Sequence, residues 1–322
     1  MKELTLTRGN ELLSLIQRGF PIESRPFHAL AERMGCPEAD IIAGVKSLVR
    51  ERTIREFGPV FEPKRLGYLT TLIAVRIETD RAAELSAAML PIPEITHNYY
   101  REGEFNLWFT ITARDRSTMD SIIHWTEKFP GVSKTLDLPV EKKFKINTVF
   151  GADTHSKPLT PADETPFLPD DEDRRIMRAL QNGFPIVEQP FLALAQELDM
   201  DETQLIDRVS AWLREGIIRR FGARVNHRRM GYTHNVLAAW QGNDVDKWGA
   251  KFAAFPQVSH CYLRKSYPEW PYRLYTMIHA LTEEEMEEML FKMKRIASGS
   301  HLVTMRTLYE LKKTSMKYFL ES

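Results

Sequence analysis

The sequence predicts an α+β fold made twice in tandem, each half a winged helix-turn-helix followed by a strand-helix-strand-strand-helix-strand domain. Three observations lead there. GFPIESRPFHAL at Gly19–Leu30 recurs as GFPIVEQPFLAL at Gly183–Leu194, an offset of 164 positions. The same offset carries Phe57, Gly58, Gly67 and Tyr68 onto Phe221, Gly222, Gly231 and Tyr232. In both copies a helical apolar period gives way, after the FG pair, to the alternation of strands.

Each half opens with about sixty residues of helix-forming sequence: an apolar-periodic helix, a Pro-containing turn, a short helix (FHALAERMG or FLALAQELD) and a third helix. The third helices, PEADIIAGVKSLVRER and DETQLIDRVSAWLREG, begin with acidic residues that suit the positive end of a helix dipole, and Gly216 ends the second. A strand pair around TIREFG or IIRRFG completes a winged helix-turn-helix. Next come an alternating strand (TLIAVRIE or NVLAAWQ), an amphipathic helix, two strands, a second helix and a last strand, the split βαβ order of ferredoxin-like domains. The expected boundaries are 1–60 and 61–150 for the first half, and 174–224 and 225–322 for the second. Between the halves, Gly151 to Asp173 is rich in Pro, Thr and Asp without periodicity, and reads as a linker long enough for the halves to pair with each other.

Composition narrows the partners. Forty-four basic residues balance forty-four acidic ones, so no global field attracts a polyanion, and weak or no nucleic-acid binding is expected. Cys36 and Cys261 have neither disulfide nor zinc spacing. No apolar run is long enough to span a membrane, Met1 to Asn10 lacks a signal-peptide core, and a cytoplasmic protein is expected.

The densest chemistry lies at His260 to Ala280, HCYLRKSYPEWPYRLYTMIHA. On a strand, His260, Tyr262 and Arg264 share one face: a titratable group, an aromatic wall and an anion clamp. His97, Tyr99 and Arg101 repeat the pattern in the first half. The second copy carries four extra residues before its next strand, bringing in Pro268, Trp270 and Pro271.

A helix-turn-helix joined to such an α/β domain resembles the Lrp/AsnC regulators. The third helices depart from a DNA-reading surface, since Lys46, Arg50 and Arg52 face Glu38, Asp40 and Glu51, and Arg208 and Arg214 face Asp201, Glu202, Asp207 and Glu215. The strings FG with LGY or MGY, HNYYR, NLWFT, RRFGARVNHRRMGY, HCYLR and WPYRLYTMIHA resemble siroheme decarboxylase in its fused two-subunit form, across both halves. The resemblance implies removal of carbon dioxide from two acetate side chains of siroheme to give didecarboxysiroheme, on a route to haem. It implies no cofactor beyond the iron tetrapyrrole, which is its own electron sink. The competing reading is an Lrp/AsnC-type transcriptional regulator that binds DNA and a small effector.

The residues suit the first reading. A flat ring with many carboxylates calls for forked guanidinium groups, and Arg224, Arg228, Arg229, Arg264 and Arg273 supply them in the second half, with Arg101 in the first. Tyr262, Trp270 and Tyr272 are candidates to stack on the ring. Losing the carboxylate leaves an electron pair that must be protonated, which calls for an acid with a pKa near working pH, such as His227 or His260. Either could instead ligate the substrate iron. His97 is the counterpart of His260, whereas His227 falls on Pro63, so the better-equipped site is expected in the second half, with His227, His260 and Arg264 catalytic. His28, His124, His155 and His301 read as structural or exposed, His279 as a core histidine, and His234 is left open. A pseudo-dimer of the two halves is expected, with further self-association left open.

Overall fold

The computed structural model describes residues 6–146, 149 and 165–320. The first half runs α1 (Leu6–Arg18), α2 (Pro26–Met34), α3 (Glu38–Arg50), β1 (Ile54–Phe61), β2 (Leu69–Ile77), α4 (Ala82–Met89), β3 (Ile95–Arg101), β4 (Leu107–Ala113), α5 (Arg116–Glu127) and β5 (Val132–Ile146). The second repeats it as α6 (Asp171–Asn182), α7 (Pro190–Leu198), α8 (Glu202–Arg214), β6 (Ile218–Val225), β7 (His234–Gln241), α9 (Val245–Phe252), β8 (Val258–Arg264), β9 (Leu274–Ala280), α10 (Glu283–Ile296) and β10 (His301–Lys313). Of the expected linker, 151–164 lie outside the described residues. Its last three residues are already helical, because Asp170 and Asp173 form a reciprocal capping box that starts α6.

Local sequence explains the helix ends. Proline stands in the first turn of α2 and of α7, where its missing N–H costs nothing. Asp201 accepts from the Gln204 backbone to start α8, and Gly216, with φ 72°, follows its end.

The wing differs from the sequence expectation. Each half supplies a single strand, and β1 pairs with β6 as one antiparallel ribbon shared by the halves, with Gly58 opposite Gly222. Both glycines have positive φ, and a Cβ on Gly222 would sit 2.0 Å from the Ile16 carbonyl oxygen. The repeated FG pair thus lets backbone pass against helix α1, while Phe57 and Phe221 join Phe20 and Phe184 in the helical core.

Within each half the strands take the order last, first, third, second: β5-β2-β4-β3 and β10-β7-β9-β8. The last strand of each half also pairs with the second strand of the other, β5 with β8 and β10 with β3, which closes an eight-stranded barrel. Closure leaves the barrel without a sheet edge and makes the two halves one body. Helices α4 and α5 cover one outer face over Ile73, Val75, Phe109 and Ile111, and α9 and α10 cover the other over Val236, Ala238, Trp240 and Ile278. The barrel interior holds Trp108, Leu138, Leu237, Trp270, Tyr275 and Met305. Among the described residues no helix is long and apolar enough to cross a membrane.

Candidate functional site

Strand alternation decides what faces inward. On β9, Tyr275 and Met277 point into the barrel, while Thr276 accepts a hydrogen bond from Trp240 in the outer core. The facing strand β8 turns Arg264 over Tyr262 and Tyr275, at 5.2 and 5.9 Å from the ring centres. Strand β3 does the same from the first half: Arg101 lies 4.9 Å over Tyr99 and reaches Met277 Sδ at 4.0 Å. The two repeats of His-x-Tyr-x-Arg therefore converge on one inner face.

Registry orders the groups along the barrel axis. Leu274 pairs with Leu263 and Met277 with His260, so the arginines lie deep and the histidines lie towards the helical layer. Below the arginines Trp270 is packed against Phe105, Trp108 and Tyr272, and its indole donates to Tyr275 Oη at 2.7 Å. Above the histidines the charges of Arg55 on β1 and Arg219 on β6 are felt. His97, Tyr99, His260 and Tyr262 keep some water-accessible surface although desolvation dominates their electrostatics. Side chains that line a recess behave in this way.

Burial sets the charge states. It lowers the pKa of His97 to about 4, and of His227 and His260 to about 3, with positive neighbours adding to the effect: Lys313 at the first two and Arg219 at the third. His279 is also pushed well below its usual value, and the Tyr99 and Tyr262 phenols are pushed up, by the same cause. These histidines are therefore neutral near pH 7 and titrate well below the near-neutral range expected of an acid from the sequence. Neither Arg101 nor Arg264 forms an ion pair among the described residues, although the charge of Asp137 is felt at Arg264. Arg101 donates to Thr307 Oγ1 at 2.6 Å and Arg264 to the Leu138 carbonyl at 2.7 Å, and the Nε of each is buried without a partner. Buried guanidinium groups left in this state lack an anion.

Hydrogen-bond polarity distinguishes the histidines. Asn235 gives its amide hydrogens to the Tyr232 and Thr233 carbonyls, so its Oδ1 accepts from His279 Nδ1. His279 Nε2, 2.9 Å from Ser259 Oγ, then accepts the hydroxyl hydrogen in preference to the Met277 carbonyl at 3.3 Å, and Ser259 Oγ accepts from His260 Nδ1 at 2.8 Å. His260 is left with an Nε2 lone pair. His227 is the opposite case. Lys313 Nζ, which as an ammonium can donate but not accept, lies 3.4 Å from its Nδ1, so the proton of neutral His227 sits on Nε2. The rings of His227 and His279 are 4.9 Å apart.

The sequence of this recess also belongs to a known group. The family model for the siroheme decarboxylase NirDL-like helix-turn-helix domain matches residues 10–55 and 173–219, and that for the AsnC-like ligand-binding domain matches 65–145 and 229–312. The siroheme decarboxylase of Hydrogenobacter thermophilus is 31% identical over 97% of this chain and 96% of its own length. The chain belongs to the siroheme decarboxylase family. The NirDL subunit of siroheme decarboxylase from Paracoccus denitrificans is 34% identical over 87% of this chain and 86% of its own. A crystal structure of siroheme decarboxylase NirDL superposes with a TM-score of 0.73 at 29% identity, covering 97% of this chain and 94% of that one. A second, in complex with an iron-uroporphyrin III analogue, does so at 27% identity with the same score, covering 96% and 93%. In Desulfovibrio desulfuricans the siroheme decarboxylase has separate alpha and beta subunits, 35% and 39% identical to 45% and 46% of this chain, covering 84% and 95% of their own lengths.

In this siroheme decarboxylase-family chain the structure redistributes the expected site residues. His227, His260, Arg264 and Tyr262 lie near one another, and His97 and Arg101 lie with them. The site is not confined to the second half, because His227 and His97 respond to the same groups, Lys313, Glu310 and Arg55. Arg228 is exposed, with its charge felt at His227 and Tyr99, and Arg229 is exposed nearby in sequence. Arg224 lies on the ribbon, paired with Glu56 and the Pro59 carbonyl. Arg273 is half exposed on the outside and pairs with Glu141 at 2.7 Å. Trp270 and Tyr272 do not face the histidines. The four-residue insertion bends back through a Tyr267–Trp270 bridge and plugs the barrel with the indole, 4% exposed.

His28, His124 and His301 are exposed, His155 lies outside the described residues, and His234 pairs with Glu283 at 2.9 Å. His279 is a bonded core histidine, as read, but one that orients His260. Lys313, Glu310, Arg55, Arg219, Ser259 and Asn235 were not singled out by sequence. The lysine pair at 312–313 stands at the end of a strand and carries no motif. Only the register of β10 on β3 puts Lys313 opposite His97.

Proposed function

We propose that this chain is a siroheme decarboxylase that removes the carboxylates of two acetate side chains of siroheme, giving didecarboxysiroheme on a route to haem. The observation that carries the reading is the pair of buried arginines, Arg101 and Arg264, which face one recess without an ion pair to a carboxylate of the protein, Asp137 acting on Arg264 only through its charge. A polycarboxylate ring supplies what they lack. Tyr99 and Tyr262, each beneath a guanidinium group, give the ring apolar edges to rest on.

In each cycle the bond between the acetate methylene and its carboxylate breaks, carbon dioxide leaves, and the electron pair goes to the methylene carbon through the conjugated ring. One proton then makes the methyl group. A forked arginine holds the carboxylate out of the ring plane so that the breaking bond overlaps the π-system. We assign His227, whose neutral ring carries its proton on Nε2, as the proton donor. His260 presents a lone pair, the form that can bind the substrate iron. We assign substrate contacts to His97, Arg101, Tyr262, Arg264 and, at the mouth, Arg228, and the domain limits follow the boundaries read from the sequence except that the second helix-turn-helix begins with α6 at Asp171.

The test is anaerobic incubation of purified protein with siroheme. The expected result is a shift of the siroheme spectrum on binding, followed by the loss of two carbon dioxide masses from the tetrapyrrole. Siroheme recovered unchanged, with no spectral shift, contradicts the proposal.

A further inference from the structure

The proton that His227 delivers must be replaced before the second acetate reacts. A neutral imidazole that gives up its Nε2 proton becomes an anion unless its Nδ1 is protonated at the same moment. The group in contact with Nδ1 is Lys313 Nζ, at 3.4 Å. Lys313 is held between His227 and Glu310, whose Oε2 is 3.5 Å away, and Glu310 is in turn anchored by Arg55 at 2.6 Å. On the strand ladder Lys313 lies opposite His97.

The repeat shows that the lysine and the histidine occur together. At the equivalent place in the other half of the barrel, Ile146 stands opposite His260 where Lys313 stands opposite His97, and Pro63 occupies the position of His227. Both members are present on one side and both are missing on the other, although the His-x-Tyr-x-Arg strands are kept on each. Resting on the decarboxylase reading, we propose that Lys313 is the proton-supplying and positioning residue for His227: its ammonium passes a proton to Nδ1 as Nε2–H protonates the substrate carbon, and between the two decarboxylations solvent protonates Nε2 while Nδ1 returns its proton to the Lys313 amine.

The balance closes. Each turn breaks one carbon-carbon bond, forms one carbon-hydrogen bond and consumes one proton, which passes from Lys313 through His227 and leaves the lysine neutral. Around Lys313 the charged and titratable groups are Glu310 on its own strand, Arg55 on β1, Arg228 after β6, and His97, His227, His260 and His279. Burial first, then Arg55 and Arg228 against the opposing pull of Glu310, brings its pKa down from 10.5 to about 8. An ammonium with that value releases and regains a proton readily near neutral pH.

The experiment compares wild type, Lys313→Met and Lys313→Arg by siroheme affinity and by single-turnover rate at saturating siroheme, across neutral and alkaline pH. Wild-type kcat/KM is expected to fall as pH rises through about 8, where the free enzyme loses the lysine proton. Lys313→Met should lose tens of fold or more in the saturating rate, since general-acid catalysis typically contributes about 10²- to 10⁴-fold. Lys313→Arg should bind siroheme as well as wild type yet stay slow, because a guanidinium keeps the charge and does not give up its proton. Recovery of the saturating rate in Lys313→Arg makes the residue a carboxylate clamp and overturns the relay. So does a wild-type rate and pH profile in Lys313→Met. Wild type that never decarboxylates siroheme refutes the reading underneath, a different result from either.

Discussion

Arg101 and Arg264 are related by the internal repeat and meet on the inner face of one strand, Arg101 at Met277 and Arg264 above Tyr275, two residues apart on β9. Each also reaches into the other half, Arg101 to Thr307 and Met277 and Arg264 to the Leu138 carbonyl. The second strand of each ferredoxin-like half sits beside the last strand of the other, so closing the barrel turns two copies of one motif towards a common space.

The arginines are expected to matter to turnover more than to folding. Arg264→Lys retains the charge but loses the planar fork, and saturating decarboxylation should fall by tens to hundreds of fold, the equivalent of about 2 to 4 kcal/mol. Arg101→Lys should do the same, in contrast to a site confined to the second half. Arg264→Met also strands the Leu138 carbonyl, at a cost of about 1 kcal/mol in unfolding free energy. Unchanged rates in either lysine variant, with siroheme affinity intact, would show that the residue does not clamp a reacting carboxylate.

Acid should destabilise the folded chain early. The unfolded histidines take up protons near pH 6.5, while His97, His227 and His260 in the fold do so only near 4, 3 and 3. Their contribution is therefore present in full above pH 6.5 and is lost as pH falls towards those lower values, by at most about 1.4 kcal/mol per pH unit for each. Denaturant unfolding at stepped pH should show this slope below neutrality, and His260→Gln should flatten it. A stability that stays level down to about pH 4 contradicts the burial of these rings as neutral groups.

Gly222 and Gly58 face each other on the ribbon but differ in what a side chain would meet. On Gly222 a Cβ would strike the Ile16 carbonyl at 2.0 Å, whereas on Gly58 the nearest atom is the Leu180 carbonyl at 3.3 Å. Gly222→Ala should cost about 2 to 4 kcal/mol of stability and more than Gly58→Ala, since both also share the strain of a positive φ. Equal losses in chemical denaturation would mean that φ alone decides.

DNA binding is expected to be weak. On α8, Arg208 is already committed to Asp173 and Glu172, and on α3 Arg50 donates to Ser47, so the third helices spend these basic side chains on their own layer. Retention of random duplex at submicromolar protein, with a steep salt dependence, would contradict this.

Much of this architecture is legible in the sequence because it rests on local rules. The repeated GFPI string, the acidic helix starts and the alternation in HNYYR and HCYLR give the halves, the helices and the inward faces. What is not legible depends on pairing between distant strands. Nothing near Ile54 says that β1 will pair with β6 rather than with a neighbour, and nothing near Lys313 says which histidine it will oppose. Trp270 was misplaced for a related reason: an aromatic after a strand suits a ligand platform or a plug equally well, and only the Tyr267–Trp270 turn decides. The near-neutral histidine acid failed because sequence shows the ring but neither its burial nor the positive charges around it.

A single recess built by both halves is tested most directly by an anaerobic spectral titration of the purified chain with siroheme. One equivalent per chain should saturate the spectral change, and either Arg101→Met or Arg264→Met should weaken that single binding event. Saturation at two equivalents, with each arginine variant abolishing one and sparing the other, would mean two separate sites and contradict the composite recess.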